Sequence, residues 1–277
     1  MARAFSDIQR MERDILTTYR ETLWQPFCRA VKRYHLIQAG DKIAVCISGG
    51  KDSMLLAKLM ELLHRHTEAP FEVVYLIMDP GYNPENRERV ESNARLLHIP
   101  YTLFESDIFE VANGQDKNPC FLCARMRRGC LYGKAQALGC NKIALGHHFD
   151  DVIETTVMGM LYGGQLQAMP PKLRAKNFPG MELIRPLYMV READIIAWRD
   201  DNGLRFIQCA CRFTEQASRE EHASKRQEVK RLLRRLHEEN PVVEQNVFGS
   251  IHNVQLDTMV AWKYKGEEHS FLDHYDD

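Results

Sequence analysis

Apolar positions along the chain follow two alternating patterns. One recurs every three to four residues, the spacing of a helix face. The other is a short, near-continuous apolar run, the mark of a strand buried on both faces. Ile8, Met11 and Ile15, then Leu23, Phe27 and Val31, predict a helix over 7–37, broken or kinked at Pro26 and ended by Gly40-Asp41. Ile43 to Ile47 predict a strand that leads into a helix over 53–65. The alternation then repeats: strand 71–78, helix 84–98, strand 101–105, helix 122–138, strand 142–146, helix 149–161, strand 182–187, helix 191–202 and a short strand at 204–207. Val229, Leu232, Leu233 and Leu236 form the apolar stripe of a last helix over 216–239, and the final twenty residues carry no motif and are expected to be partly mobile.

Repeated strand–helix units with apolar strands imply a parallel sheet covered on both faces, and right-handed crossovers make it doubly wound. The expected organisation is a helical segment at 1–40, an α/β domain at 41–215 and a helical extension with its tail at 216–277. In such sheets ligands sit beyond the carboxyl ends of the strands, at a topological switch. The turn after Ile47 occupies such an end.

That turn reads Ser48-Gly49-Gly50-Lys51-Asp52-Ser53. Glycines between a strand and a helix let backbone N–H groups and the helix dipole meet a phosphate, with no Cβ in the way. The stretch fits neither G-x-x-x-x-G-K-[ST] nor G-x-G-x-x-G. It resembles the PP-loop of the ATP pyrophosphatases, which cleave ATP between its α- and β-phosphates and pass AMP to an acceptor. Ser48, Gly49 and Gly50 are then candidates to hold the phosphates, Lys51 to contribute charge and Ser53 to cap the helix or bind phosphate. Asp52 is a candidate Mg²⁺ ligand, since Mg²⁺ takes one or two carboxylates plus phosphate oxygens; its plainer reading is a helix cap. Backbone around Met78 and Asp79 is a candidate contact for the base.

A second turn, Gly146-His147-His148-Phe149-Asp150-Asp151, also joins a strand to a helix. Its paired carboxylates suit Mg²⁺ or a proton acceptor, and equally suit the positive end of a helix dipole. Gly146 and His147, with His148 as the alternative histidine, are candidate nucleotide contacts.

Composition narrows the setting. The 37 Lys and Arg against 38 Asp and Glu leave a net charge of −1, so a nucleic-acid partner needs a local basic face. No apolar run approaches the roughly 20 residues of a membrane span, and the first residues lack the apolar core of a signal peptide, so the cytoplasm and no membrane partner are expected. There, eight cysteines are core thiols, metal ligands or redox groups rather than disulfides. Cys28, Cys46 and Cys140 lie in apolar surroundings and read as packing residues. Cys120 and Cys123 form a C-x-x-C, and Cys209-Ala210-Cys211 follows at another strand end. Zinc, an iron–sulfur cluster or a redox pair all remain open on these residues alone. Cys130 shares a helix with Cys123 but stands about 10 Å away along its axis, too far for one compact cluster. The basic residues of 216–239 are a solvated face or an RNA contact.

Taken together, Ser48–Ser53, the Pro119–Gly129 run PCFLCARMRRG, Ala144–Asp151, Tyr162-Gly163-Gly164 with Met169–Leu173, and Ile184-Arg185-Pro186-Leu187 resemble the tRNA 2-thiocytidine synthetase family over roughly residues 20–255. The resemblance implies an α/β fold of the PP-loop, adenine nucleotide alpha hydrolase-like type. It also implies ATP, Mg²⁺ and a 4Fe-4S cluster as cofactors. ATP would adenylate O2 of a cytidine at tRNA position 32, and sulfur would displace AMP to give 2-thiocytidine. It further implies cluster ligands Cys120, Cys123 and Cys209, a catalytic set of Lys51, Asp52, Asp150 and Asp151, and a sulfur donor that is a cysteine desulfurase or sulfide. A homodimer is an admitted assembly. The late motif departs from the family's C-x-x-C, which keeps Cys211 as the alternative third ligand. A related thiolase acting on a tRNA uridine, or one using a cysteine persulfide, is the alternative reading. Arg125, Arg127, Arg128, Lys172, Arg174 and Lys176 are candidate tRNA-phosphate contacts or solvated charges.

Overall fold

A computed structural model describes residues 6–68, 70–106, 108, 119–207 and 221–275, with backbone alone at 119–124, 221–224 and 274. Cys209 and Cys211 lie outside the described residues, as do the side chains of Cys120 and Cys123.

The predicted first helix is two. Helix α1 (Asp7–Leu16) starts on a capping box made by Ser6 and Gln9, and helix α2 (Gln25–Arg33) carries Pro26 in its first turn. A π-turn at Arg20–Trp24 joins them, so the irregularity precedes the proline rather than following it. Proline lacks a backbone N–H, and at a helix start none is needed.

Strand β1 (Lys42–Ile47), helix α3 (Lys51–His66), strand β2 (Glu72–Asp79), helix α4 (Pro84–Leu96) and strand β3 (Tyr101–Glu105) follow as expected. Helix α5 begins at Pro119, earlier than its apolar spacing suggested, and runs to Ala137; Cys120 and Cys123 therefore lie in its first turn. Strand β4 (Lys142–Ala144), helix α6 (Phe149–Gly163), strand β5 (Lys172–Arg174), strand β6 (Glu182–Ile184) and helix α7 (Glu192–Asp201) complete the domain. The sheet order is β3-β2-β1-β4-β6-β5. Every neighbouring pair is parallel except β5 on β6, so the sheet is a mostly parallel, doubly wound one with a single antiparallel edge strand. Strand β6 stops before Pro186, which has no N–H for the ladder.

Alternation within the strands fills both faces. Ile43, Val45 and Ile47 of β1 join Tyr75 and Ile77 of β2, α1, α3 and α4 in one core. Ala44, Cys46 and Leu76 point to the other side, where Tyr132 and Ala135 of α5 cover them. Burial pushes the Cys46 thiol up to about 12 and raises that of Cys140, which leaves both as packing groups. Cys28 packs against the first core, and burial pushes its thiol up to about 11.

One local expectation fails. Residues 204–207 pair with no described strand; Leu204, Phe206 and Ile207 are buried, and the Arg205 carbonyl instead accepts from Asn93 Nδ2 at 2.9 Å. Further elements follow the basic helix. Helix α8 (Glu221–Glu239) and helix α9 (Val243–Ser250) pack Val229, Leu233 and Phe248 against Phe149, Val152 and Ile153 of α6. Beyond them, strands β7 (Ala261–Tyr264) and β8 (Glu267–Ser270) form a hairpin over Lys265-Gly266, both at positive φ. No described helix is long and apolar enough to cross a membrane.

Candidate functional site

The strand order reverses between β1 and β4, the point where an open α/β sheet leaves a crevice. Both glycine turns open there.

At the end of β1, Gly49 turns at φ +84°, and a Cβ on it would lie 2.5 Å from Val90 Cγ2 and 2.7 Å from Ile207 Cδ1. Both the angle and the space demand glycine. Gly50 is the N-cap of α3 and supplies no side chain, so the first N–H groups of that helix keep their capacity for an anion. Ser53 braces the loop from below. Its Oγ accepts from Ser48 N at 3.1 Å, lies 3.1 Å from Ser48 Oγ and donates to the Gly50 carbonyl at 3.0 Å. Tyr82 reaches over from the end of β2 and donates to the Ser48 carbonyl at 3.2 Å. Asp79 shapes that strand end by accepting from Gly81 N and Tyr82 N at 2.9 and 2.6 Å. Met78 beside it is buried, so only its backbone can face the crevice.

The end of β4 is drawn against the same loop. A Cβ on Gly146 would lie 3.0 Å from Ser53 N and 3.2 Å from the Asp52 carbonyl, so only glycine lets the two turns meet without displacement. This turn closes on itself. His148 is the N-cap of α6: its Nδ1 accepts from Asp151 N at 3.4 Å while Asp151 Oδ2 accepts from His148 N at 3.0 Å. Asp150 accepts from Glu192 N at 2.6 Å through Oδ2 and pairs with Arg191 at 3.2 Å through Oδ1, which ties α6 to the start of α7. Asp151 Oδ1 holds Arg226 of α8. Both candidate catalytic carboxylates of this turn are thus engaged by protein groups. His147 stands nearby with its Nδ1 buried and unpartnered; burial, reinforced by the Arg185 charge, pushes its imidazole down to about 4. Arg185 is itself buried with Nε unpartnered, and burial with the neighbouring Arg128 lowers it to about 10.

Between the two turns runs a series of alternating charges that the sequence did not reveal. Lys51 Nζ lies 3.1 Å from Asp52 Oδ1 and 2.9 Å from Glu192 Oε1. Glu192 Oε2 lies 3.0 Å from Lys230 Nζ. Lys230 Nζ is 3.4 Å from Glu154 Oε1, and Glu154 Oε2 accepts from Arg226 Nε at 2.7 Å. Burial alone would raise the Glu192 carboxyl, yet hydrogen bonds and charge from Lys51 and Lys230 hold it at about 2. The basic residues of α8 therefore divide: Arg226 and Lys230 face the site, while Arg231, Arg234 and Arg235 are exposed. Of the other candidate cations, Lys172 donates to the His35 carbonyl at 3.1 Å, Arg127 lies near enough to Tyr82 for its charge to act on that phenol, and Arg125, Arg174 and Lys176 are exposed.

Asp52 Oδ1 is buried and outside the hydrogen-bond geometry of Lys51, which leaves it without a hydrogen bond. A carboxylate oxygen with no hydrogen bond, in contact only with the Lys51 ammonium and beside an open helix N-terminus, fits a Mg²⁺ ion that takes its remaining ligands from phosphate and water. Among the described residues no group of three or more His, Cys, Asp or Glu is arranged to hold a metal ion without such help. The thiols in the first turn of α5 are of the donor type that iron–sulfur clusters use.

The sequence matches the family model of the PP-loop domain over residues 21–231. The tRNA-cytidine(32) 2-sulfurtransferases of Syntrophotalea carbinolica and Geotalea uraniireducens are each 36% identical to it, over 82% of this chain and 86% and 89% of their own lengths. That of Geobacter sulfurreducens is 37% identical over 82% of this chain and 87% of its own. Among solved structures, the U34-tRNA thiolase NcsA from Methanococcus maripaludis with its 4Fe-4S cluster superposes with a TM-score of 0.65 at 19% identity, covering 86% of this chain and 80% of that one. A likeness at that identity bears on the fold.

Proposed function

Because the chain belongs to the PP-loop family of tRNA-cytidine(32) 2-sulfurtransferases, we propose that it thiolates a tRNA cytidine at the expense of ATP. The observation that carries the reading is the uncapped N-terminus of α3 behind Gly49, with Lys51 at its mouth, at the switch point of the sheet. The α3 N–H groups and Lys51 bind the phosphates. Ser53 and Tyr82 hold the loop in shape. Backbone at Met78 and Asp79, with Gly146 and His147 across the crevice, borders the base.

A carbonyl oxygen leaves poorly from carbon. In the proposed reaction, O2 of the cytidine attacks the α-phosphorus, the bond to the β-phosphate breaks and diphosphate leaves. Sulfur then bonds to C2 and the C2–O2 bond breaks, with the oxygen departing on AMP. The protein's part is to hold the α-phosphate in line with O2 and to keep water from it. Mg²⁺, when bound, would be held by Asp52 Oδ1 and would offset the charge of the departing diphosphate. A 4Fe-4S cluster on Cys120, Cys123 and Cys209 would supply the site from which sulfur is delivered. The donor upstream is a cysteine desulfurase or sulfide, and the compartment is the cytoplasm. Asp150 and Asp151 serve first as anchors for α7, His148 and Arg226; direct use of either as a metal ligand or proton acceptor requires that it exchange a protein partner.

Mass spectrometry of nucleosides tests the whole reading. Anaerobically prepared protein, incubated with tRNA, ATP, Mg²⁺ and sulfide, is expected to produce 2-thiocytidine with one AMP and one diphosphate per thio group. A 2-thiouridine product moves the activity to another base. Formation of 2-thiocytidine without AMP release would overturn the adenylation.

A further inference from the structure

One carboxylate in the charge series is shared in an unusual way. Glu192 Oε1 holds Lys51 at 2.9 Å and Oε2 holds Lys230 at 3.0 Å. Lys51 is likewise shared, between Glu192 and the adjacent Asp52. The four side chains are a fifth to two-fifths exposed, so their attraction is damped but not abolished by solvent. A phosphate arriving at the N-terminus of α3 needs the ammonium of Lys51. Asp52 sits on the same turn of α3 and stays with Lys51 wherever the loop goes. Glu192 belongs to α7, whose position Asp150 fixes through the Glu192 backbone N–H. The contact that must give way is therefore the one to Glu192.

We propose that Glu192 is a positioning residue that competes with the nucleotide's phosphates for Lys51, and that Lys230 of α8 sets how firmly it competes. With Lys230 in place, the Glu192 charge is divided between two ammonium groups, and it keeps a partner when Lys51 leaves. Without Lys230, the whole carboxylate charge falls on Lys51. Helix α8 thereby reaches the phosphate loop through one intermediate residue, with no direct contact of its own in this pathway. Lys230 keeps a second anion in Glu154, which Arg226 also serves, so its removal strands no buried carboxylate. The inference rests on the ATP reading of the site.

Equilibrium binding of ATP and of AMP to the full-length chain, at fixed Mg²⁺, tests it. AMP lacks the phosphates that Lys51 would meet. Glu192→Gln preserves shape and the backbone anchor, and is expected to tighten ATP binding about five-fold while leaving AMP unchanged, the scale of one partly exposed ion pair. Lys230→Met is expected to act in the opposite direction, weakening ATP about three-fold. Two combinations exclude a mere change in overall charge. In Glu192→Gln, adding Lys230→Met has no further effect; in Lys51→Met, adding Glu192→Gln has none. A same-sign change in both single variants, or a Glu192→Gln effect that survives Lys51→Met, would overturn the inference alone. If the unaltered protein shows no preference for ATP over AMP, or Lys51→Met leaves that preference undiminished, the nucleotide reading falls and the inference with it.

Discussion

At the end of β1 the chain turns on Gly49 and enters α3 with no side chain on its leading N–H groups. At the end of β4 it turns on Gly146 and enters α6 with His148 and Asp151 capping one another, Asp150 fixing α7 and Asp151 holding Arg226. The two turns share a plan and lie side by side, yet one is open to a ligand and the other is closed by its own acids. Capping groups of this kind contribute about 1 kcal/mol each to their helix. The open turn forgoes that contribution. Glycines mark both turns and acids mark both helices, so neither feature separates the binding turn from the bracing one. What separates them is whether side chains satisfy the helix N-terminus.

The largest effect is expected within the open turn itself, where its two glycines should behave differently. Gly49→Ala places an L side chain at φ +84° with its Cβ 2.5 Å from Val90 Cγ2. Left-handed strain and overpacking together should cost about 2–5 kcal/mol of stability. Gly50 has an ordinary φ of −79°, and the nearest atom to an added Cβ is 3.8 Å away. Gly50→Ala should cost less than ~1 kcal/mol but set a methyl where phosphate would approach. Urea unfolding and ATP binding on both variants check this. A Gly49→Ala protein of native stability would show that the loop relaxes freely, and the contrast in rigidity would be lost.

A smaller effect contrasts the acids. Asp151→Ala removes the partner of the His148 N–H and one anion from the part-exposed Arg226, and should cost about 1–2 kcal/mol. Asp52→Ala removes a carboxylate with one oxygen unbonded, and its stability should stay within about 0.5 kcal/mol of the parent. Its thiolation rate should nevertheless fall about 100-fold or more, the scale of losing one group aimed at developing charge. Thermal melts beside single-turnover rates separate the two. If Asp52→Ala proves as destabilising as Asp151→Ala, the carboxylate of the open turn is structural too.

The sheet was legible in the sequence because a doubly covered parallel strand must be apolar throughout, as Ile43–Ile47 and Tyr75–Met78 are. Strand β5 was not, since Lys172-Leu173-Arg174 is a short edge strand with one apolar residue. The β7–β8 hairpin left a faint signal in Lys265-Gly266, a two-residue turn between Trp262-Lys263-Tyr264 and Glu267, and its charged strands hid the rest. The phosphate loop is local and therefore readable. Glu192 is 141 residues from Lys51 and 38 from Lys230, and no periodicity connects positions that far apart. A partial clue did exist in α8: Arg226 and Lys230 are four apart and flank Val229, so they border the buried stripe rather than the solvent face. Helix α9 was missed because its short segment carries no motif; it docks through Phe248 onto Phe149, 99 positions earlier, at a ring separation of 4.5 Å.

The smallest effect concerns acid, and it assigns pH sensitivity to the closed turn. His147 titrates at about 4 in the folded chain against 6.5 for an unperturbed imidazole, because burial and the Arg185 charge disfavour its imidazolium. Between those values the unfolded chain binds a proton that the folded chain refuses, so stability rises with pH across that window. The contribution is whole above pH 6.5, declines as pH falls and is exhausted near pH 4. From pH 7 to 6 the loss is below ~1 kcal/mol. Glu192 works lower down: its carboxyl is depressed from 4.5 to about 2, so its contribution persists until pH falls below about 4.5. The slope of the urea midpoint between about pH 7 and 5 should therefore flatten in His147→Gln and stay as it is in Glu192→Gln. The reverse outcome would move the acid-sensitive group from the closed turn to the charge series at the open one, and the division between them would fail at its most easily measured point.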